Sequence, residues 1–308
     1  MGPTFVSGDM LARPSRGTVN GLLCLIRDDF SLQGLLAIGV CIQALFTYFL
    51  PAPYAYIPGA ALVAASLLPH IMGKLGLSKQ AQECIIVPGK TTAFLDFANP
   101  VHAGKPPGAP ALTDEKRPAQ LAVMLIGSRS STALGALEPS FVEMGEAIGA
   151  MVKELSTAPP EADVGFLNCE SYIPSTHASG NGIMHCIYWK SYDHIMRWVH
   201  QPGGRHFPAW SKFRQMQRER ATLASKIGIW HEIFEVSNAE GIYQNMPRMG
   251  LGDLWEAVRG YDGRVVYRNS LVTGTGRHAS SNGRMGYTER HRAPGAEPEP
   301  SYRESEKQ

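Results

Sequence analysis

Residues 119–126 read AQLAVMLI, a nearly continuous apolar run with the length of one β-strand. The run follows directly on residues 99–118 (NPVHAGKPPGAPALTDEKRP), which are dense in proline, glycine and charge and are typical of a linker. A folded domain is therefore expected to begin at about residue 119, with residues 74–118 as a linker or arm.

Two helical regions and three more strands follow this first strand. Glu138-Pro139-Ser140 predicts a helix start, and apolar residues recur at helical spacing until Pro159 and Pro160 end the pattern. Strands are predicted over residues 164–173 (VGFLNCESYI), 182–189 (GIMHCIYW) and 226–236 (KIGIWHEIFEV). Helical spacing recurs over residues 192–199 and 210–224. The order β-α-β-β-α-β predicts an α+β domain of the ferredoxin-like type.

Such a sheet buries one face under its helices and leaves the other face open. In a homodimer two open faces can pack into an α/β barrel that encloses a cavity. The domain is expected to span residues 119–260, with a short helix over Asp253–Val258 near its end. From about Tyr261 glycine, arginine, serine, proline and glutamate dominate, which predicts a disordered tail over 261–308.

The N-terminal part contains no Asp, Glu, Lys or Arg from Phe30 to Gly73. This length predicts two transmembrane spans, residues 31–50 and 57–73, joined by a proline-rich turn. Arginines precede the first span and lysines follow the second, so both ends, including residues 1–30, are expected to face the cytoplasm. Pro69 and His70 weaken the second span, and a buried helical hairpin in a soluble protein is the alternative.

Composition excludes several classes of protein. A formal net charge of +2 with 18% charged residues does not indicate a nucleic-acid-binding protein. A hydrophobic content of 44% excludes a chain that is disordered throughout. The five cysteines show no CxxC spacing, so neither a zinc knuckle nor a disulfide framework is indicated.

Four stretches resemble a family of bacterial and fungal proteins that are labelled monooxygenases and lie near the antibiotic-biosynthesis monooxygenase superfamily. They are LAVMLIGSR (121–129), YWKSYDHIMRWVH (188–200), GIWHEIFEV (228–236) and IYQNMPRMGLG (242–252). The resemblance covers roughly residues 86–258. It implies a dimeric α/β barrel that uses dioxygen on a hydrophobic polyketide or terpenoid intermediate of fungal secondary metabolism. Fungal members also carry apolar N-terminal spans, which implies an enzyme of the endoplasmic reticulum membrane with its catalytic domain in the cytoplasm.

No flavin, nicotinamide or phosphate-binding fingerprint is visible, since GxGxxG after a strand, GxxxxGK[ST], HExxH and GxSxG are all missing from the sequence. An oxygenase without them either holds a metal or haem, or uses its substrate as the electron donor. The second route needs a base near neutral pH, donors for a developing oxyanion and an apolar enclosure. The prediction is therefore an oxygenase without a cofactor.

Two histidines lie inside predicted strands and are candidates for the base. His185 alternates with Ile183 and Ile187, and His231 alternates with Ile229 and Ile233. Because the first strand of a ferredoxin-like sheet lies between the third and fourth, the two side chains are expected about 10 Å apart if level and on one face. Each histidine is equally consistent with a structural role in the core or at an edge, and Glu232, in the opposite phase, is a reserve candidate.

Two polar residues are candidate anion stabilisers. Asn168 could donate to an oxyanion and Arg129 could hold an enolate or carboxylate, although each is also typical of an exposed strand or loop position. Aromatic side chains are expected to line the substrate pocket: Trp189, Trp210, Trp230 and Tyr243.

Two alternatives remain open. The barrel class includes haem enzymes, and His231 or His206 could be an axial ligand. A tethered carrier that binds a pathway intermediate without reacting is the second alternative. No metal is expected from His194, His200 and His206, whose spacing of six and six puts no two of them one helical turn apart.

Overall fold

A computed structural model describes residues 6, 10, 32–74, 86–94, 121–173, 181–220, 222, 225–237, 239–259 and 263–275. The helices are α1 (Leu32–Phe49), α2 (Ile57–Lys74), α3 (Pro139–Thr157), α4 (Tyr192–Val199) and α5 (His206–Glu219). The strands are β1 (Ile86–Ala93), β2 (Leu121–Ser130), β3 (Phe166–Tyr172), β4 (Asn181–Trp189), β5 (Ile227–Val236), β6 (Ile242–Pro247), β7 (Trp255–Arg259), β8 (Val265–Asn269) and β9 (Leu271–Thr273). The described residues leave out the predicted segment 1–30 except for residues 6 and 10, most of the linker and the end of the tail.

A four-stranded antiparallel sheet with the order β3-β4-β2-β5 forms the centre of the domain. Helix α3 connects β2 to β3, and α4 with α5 connects β4 to β5. The sheet therefore has the ferredoxin-like order that the sequence predicts. Strand β2 pairs along its length with both β4 and β5, so its register decides which side chains share a face.

The core lies between this sheet and the helices. Alternate residues of β2, Ala122 and Met124, meet Trp189 of β4, and the helices add Ile148, Met151, Leu155, Ile195 and Trp198. The Trp189 side chain is fully buried, with its ring centroid 5.4 Å from that of Trp198. Its burial is the largest single apolar contribution to this layer, since truncating a buried tryptophan typically costs about 3–5 kcal/mol.

The chain past β5 builds a second layer. Strand β6 pairs with β1, which also pairs with β9, and β7 pairs with β8. The helix predicted over Asp253–Val258 is wrong: most of this segment belongs to β7, because Trp255 and Ala257 pack on Val265 and Tyr267. Strands β8 and β9 also fall in the tail that was predicted to be disordered. Their alternating sequence VVYRNSLVT supplies the apolar side chains that this layer needs.

A buried ion-pair cluster joins the two layers. Lys190 Nζ lies 3.0 Å from Asp163 Oδ1 and 3.7 Å from Glu256 Oε1 on β7. Burial favours the protonated Asp163, but its hydrogen bond to His194 and the charge of Lys190 hold the pKa of this carboxyl well below its usual range. The Asp163 carboxylate therefore stays charged, and the cluster connects the end of β4 to the C-terminal strands.

Helices α1 and α2 form a hairpin at the positions predicted for membrane spans. Their polar side chains bond within the hairpin: Gln43 Nε2 donates to the Ala55 carbonyl at 3.0 Å, and Ser66 Oγ donates to the Leu62 carbonyl at 2.8 Å. Among the described residues, however, none of the helices has both the length and the apolar character required to cross a membrane. Each hairpin helix has 18 residues and rises about 27 Å, less than the hydrocarbon thickness of about 30 Å. The two predicted spans are therefore not confirmed.

A glycine pair tests the packing of the helical layer. Gly165 has φ +77°, and a Cβ there would overlap the imidazole of His194, whereas a Cβ on Gly149 in α3 would meet nothing within 4 Å. We expect Gly165→Ala to lower the free energy of unfolding by about 1–3 kcal/mol through strain and overpacking. Gly149→Ala should raise it by about 0.5–1 kcal/mol through helix propensity. Urea unfolding of both variants measures these changes, and equal effects would contradict the packing described here.

Candidate active site

The register of β2 assigns the two candidate histidines to one face of the sheet. Ile126 lies opposite His185 on β4 and opposite His231 on β5. Residues directly opposite each other on neighbouring strands point to the same face. Because Ile126 packs on the core under the helices, this is the helix-covered face. The two histidines are level and share one face, which is the side of the helices, whereas Trp230 and Glu232 have the phase of the open face.

The surroundings of the histidines differ. Ser171 Oγ lies 2.8 Å from His185 Nδ1, and burial lowers the pKa of His185. His231 is exposed and lies close enough to His206 to affect its charge. Burial, together with His231 and His200, lowers the pKa of His206. Two histidines therefore lie near each other on the helix side, His231 and His206. Each is a candidate axial ligand in the haem alternative.

The open face carries a polar cluster that the sequence reasoning missed. Glu170 on β3 is only 8% exposed, and both of its carboxylate oxygens accept hydrogen bonds. Tyr172 Oη donates to Oε2 at 2.6 Å, and the Gly250 backbone N–H donates to Oε1 at 2.8 Å. Its neighbour on β4 is Cys186, which is also buried. The cluster combines a buried carboxylate with a thiol and phenols, which are the groups that acid–base chemistry requires.

Two tyrosines beside Glu170 remain in the neutral form. Burial, the hydrogen bond to Cys186 and the charges nearby raise the pKa of Tyr188 well above its usual range. Burial also raises the pKa of Tyr243, whose Oη accepts a hydrogen bond from the Gly252 N–H at 2.9 Å. Phenols that hold their protons can donate hydrogen bonds to a negative charge that develops on a substrate.

Asn168 lies on the same face as Glu170, two residues earlier on β3. Its Nδ2 donates to Asp253 Oδ2 at 3.2 Å, while Trp255 Nε1 donates to Asp253 Oδ1 at 3.2 Å. The amide that was predicted to stabilise an oxyanion is therefore bonded to a carboxylate in this conformation. The polar cluster borders the Asn168–Asp253 pair, because Asn168 lies opposite Tyr188 of the cluster in the strand register.

The β5 edge of the open face is exposed, and there Trp230 and Phe234 flank Glu232. The Trp230 indole lies across Gly127, where an added Cβ would come within 2.5 Å of the indole Nε1. Trp230 is 42% exposed and Phe234 is 48% exposed. Arg129, the other predicted anion partner, is exposed near the end of β2. Gly127 therefore leaves the space that the exposed Trp230 indole occupies beside the polar cluster.

The four predicted pocket aromatics separate into two groups. Trp230 and Tyr243 lie on the open face or against its polar cluster. Trp189 belongs to the core, and Trp210 lies on α5, packed on Phe213 at a centroid distance of 5.8 Å. The pocket assignment of Trp189 is therefore corrected by its complete burial under the helices, and Trp210 is placed away from the open face.

In the part of the chain that the structure describes, no group of three or more His, Cys, Asp or Glu side chains is arranged to hold a metal ion. His194, which drew attention in the sequence, instead pairs with Ser191 Oγ at 2.7 Å and lies 3.8 Å from Asp163.

Comparison with known families identifies the class of this domain. Residues 121–251 match the model of the family described as Monooxygenase af470-like. The matched stretch begins with β2 and ends in the turn after β6, so it includes the whole ferredoxin-like sheet and the polar cluster on its open face. The match confirms the predicted resemblance to a family labelled monooxygenase and supports an oxidoreductase activity.

Solved structures give weaker likenesses. SnoaB, a cofactor-independent oxygenase from Streptomyces nogalater, is 13% identical, covers 39% of this chain and 97% of its own, and has a TM-score of 0.26. A protein of Bacteroides thetaiotaomicron described as a possible oxidoreductase is 12% identical, with coverage of 38% and 99% and a TM-score of 0.25. Protein SO0527 from Shewanella oneidensis is 7% identical, with coverage of 40% and 93% and a TM-score of 0.24. No curated protein matches the chain.

Proposed function

We propose that this chain is a cofactor-independent monooxygenase that uses dioxygen to oxidise a hydrophobic polyketide or terpenoid intermediate. The observation that carries the proposal is the family match over residues 121–251, which coincides with a sheet whose open face bears buried acid–base groups. A role in fungal secondary metabolism, and in the fumagillin pathway in particular, is the part of the proposal that rests on sequence resemblance alone.

The first chemical step follows from a substrate that supplies its own electrons. A base removes a proton from an acidic C–H or O–H group, and the electron pair stays on the substrate as an anion. The anion passes one electron to dioxygen, and the substrate radical combines with superoxide to give a peroxide. The returning proton completes the balance RH + O₂ → ROOH, from which either oxygen insertion or chain cleavage can follow.

The residues offer two sources for the base. His185 and His231 are the prediction from sequence, and they act from the helix side of the sheet. Glu170 lies on the open face, next to Tyr188 and Tyr243, whose phenols are placed to stabilise an anion. Trp230 and its neighbours would supply the apolar surface that holds the substrate and excludes water.

Labelled oxygen tests the function. We expect an extract from a host strain that lacks the gene to accumulate the substrate, and the purified full chain to convert it under ¹⁸O₂ to a product that carries ¹⁸O by mass spectrometry. The protein should show no haem or flavin absorption. Stoichiometric haem would favour the haem alternative, and tight binding without oxygen uptake would favour a carrier.

Three single variants separate the candidate bases in the same assay. Loss of a general base typically slows an enzyme by 10²–10⁴-fold. A loss of that size in His231→Ala or His185→Ala would assign the base to the helix side, whereas a loss confined to Glu170→Gln would assign it to the open face. Full oxygen incorporation in all three variants would contradict base catalysis by these groups.

The proposal includes pairing of two open faces in a homodimer. The exposed Trp230 and Phe234 support it, since apolar side chains on an uncovered sheet face mark interaction surfaces. We expect Phe234→Lys to convert the dimer to a monomer in light scattering, because it would bury a charge in the interface. Phe207→Lys on α5 is the matched control, since Phe207 is 70% exposed outside that face, and it should leave the mass unchanged.

The proposal also includes association with the endoplasmic reticulum membrane, with the catalytic domain in the cytoplasm. The hairpin supports it, because apolar side chains such as Leu36, Val40 and Leu62 are more than 60% exposed and its internal polar groups bond within it. We expect the chain to sediment with membranes after a salt wash and the variant with Asp at these three positions to become extractable. Asp at Leu134 and Leu137 in the domain is the control, and equal extraction of both variants would contradict membrane binding through the hairpin.

A further inference from the structure

One turn of the chain lies directly over the polar cluster of the open face. This covering turn, Gly250–Asp253, is a 3-10 turn between β6 and β7. Its first residue has φ +53°, a left-handed conformation that favours glycine. A Cβ built on Gly250 would lie 3.5 Å from Tyr243 Oη and 3.8 Å from Tyr188 Oη. The turn therefore lies beside both phenols, and its Gly252 N–H donates to Tyr243 Oη.

Two side chains of β3 hold the covering turn. Glu170 accepts the Gly250 N–H at 2.8 Å, and Asn168 donates to the Asp253 carboxylate at 3.2 Å. Both residues lie on the open face, two positions apart, so they bond to the two ends of the same turn. Apolar contact is added by Leu251, which packs on Leu121, Leu167 and Leu254. The contacts to β3 are thus two side-chain hydrogen bonds and one aliphatic contact.

In the closed arrangement, the groups that a reaction would use are already hydrogen-bonded within the chain. Both oxygens of Glu170 accept hydrogen bonds, and the covering turn supplies the donor to one of them. The Asn168 amide and the Tyr243 hydroxyl are bonded to the covering turn or to its neighbour. Displacement of the turn would release a carboxylate, an amide and two phenols together.

We propose that the covering turn is a gate over the open-face site, and that Asn168 and Glu170 are the positioning residues that hold it closed. The proposal rests on the open face being the site proposed above. In the open state the lipophilic substrate takes the place of the turn over Tyr188 and Tyr243. Opening also breaks the hydrogen bond from Ser270 Oγ to the Leu251 carbonyl. All of these contacts are local, so the gate should open at less cost than unfolding of the domain, while the sheet stays folded.

Thiol labelling of Cys186 reports this opening without a substrate. Cys186 is 8% exposed and lies opposite Glu170, so reaction with N-ethylmaleimide requires the cover to move. In the full-length protein we expect its labelling, followed by mass spectrometry of its peptide, to proceed at a rate independent of urea at low concentration. The amides of Gly250 and Gly252 should exchange with deuterium at least about tenfold faster than that of Met124 in β2.

A charge variant tests the hydrogen bond between Asn168 and the covering turn. Asn168→Asp places a second carboxylate beside Asp253, and the repulsion should raise the Cys186 labelling rate at least about tenfold. Ser171→Asp is the matched control, since it adds the same charge to the same strand on the opposite face, and it should leave that rate unchanged. Urea midpoints of both variants within experimental error of that of the unmodified protein would show that the domain itself is intact.

Different results would contradict the gate proposal and the proposed function. Labelling of Cys186 and exchange of Gly250 that occur only with global unfolding would overturn the gate, as would an Asn168→Asp rate equal to that of Ser171→Asp. If Asn168→Asp lowers the folded population instead, amide exchange of Gly250 and Gly252 in the unmodified protein decides whether the gate opens. A gate that opens as described in a protein that never incorporates ¹⁸O would retain this inference and refute the proposed function.

Discussion

Strand β2 sets the chemistry of this domain through one constraint, the two-residue period of a strand paired on both sides. Because β2 is hydrogen-bonded to β4 and β5 over its whole length, a shift of one residue would exchange every side chain between the helices and the open face. The observed register puts Met124 and Ile126 under the helices. It follows that Glu170, Tyr188 and Trp230 share the other face.

That open face combines two environments. At one end a carboxylate and two phenols are desolvated beneath a turn of the same chain, and burial favours the protonated phenols there. At the other end Trp230 and Phe234 are exposed. A ligand that bridges the ends would present its reacting group to the polar side and its bulk to the aromatic side. This division suits a lipophilic molecule with one acidic position.

Local patterns in the sequence were sufficient for the elements and their order. The strand predicted over 182–189 and the helix over 192–199 agree closely with β4 and α4. The face of each strand was not predictable, because β5 carries apolar residues in both phases, Ile229 and Ile233 in one and Trp230 and Phe234 in the other. Residues 253–258 have good helix propensity, yet pairing with β8 makes most of them a strand, so tertiary packing overrode the local preference. Glu170 was missed for the same reason, since its burial depends on a turn eighty residues away.

The strands that follow the family-matched stretch also anchor it. Ser270 donates hydrogen bonds to the carbonyls of Leu251 and Leu254, and Asn269 donates to Leu254 as well. A boundary drawn at residue 260 would retain every residue of the matched stretch and remove the scaffold behind the turn. The folded unit therefore extends at least to Thr273, and a shortened version would be expected to expose the polar cluster of the open face to bulk water.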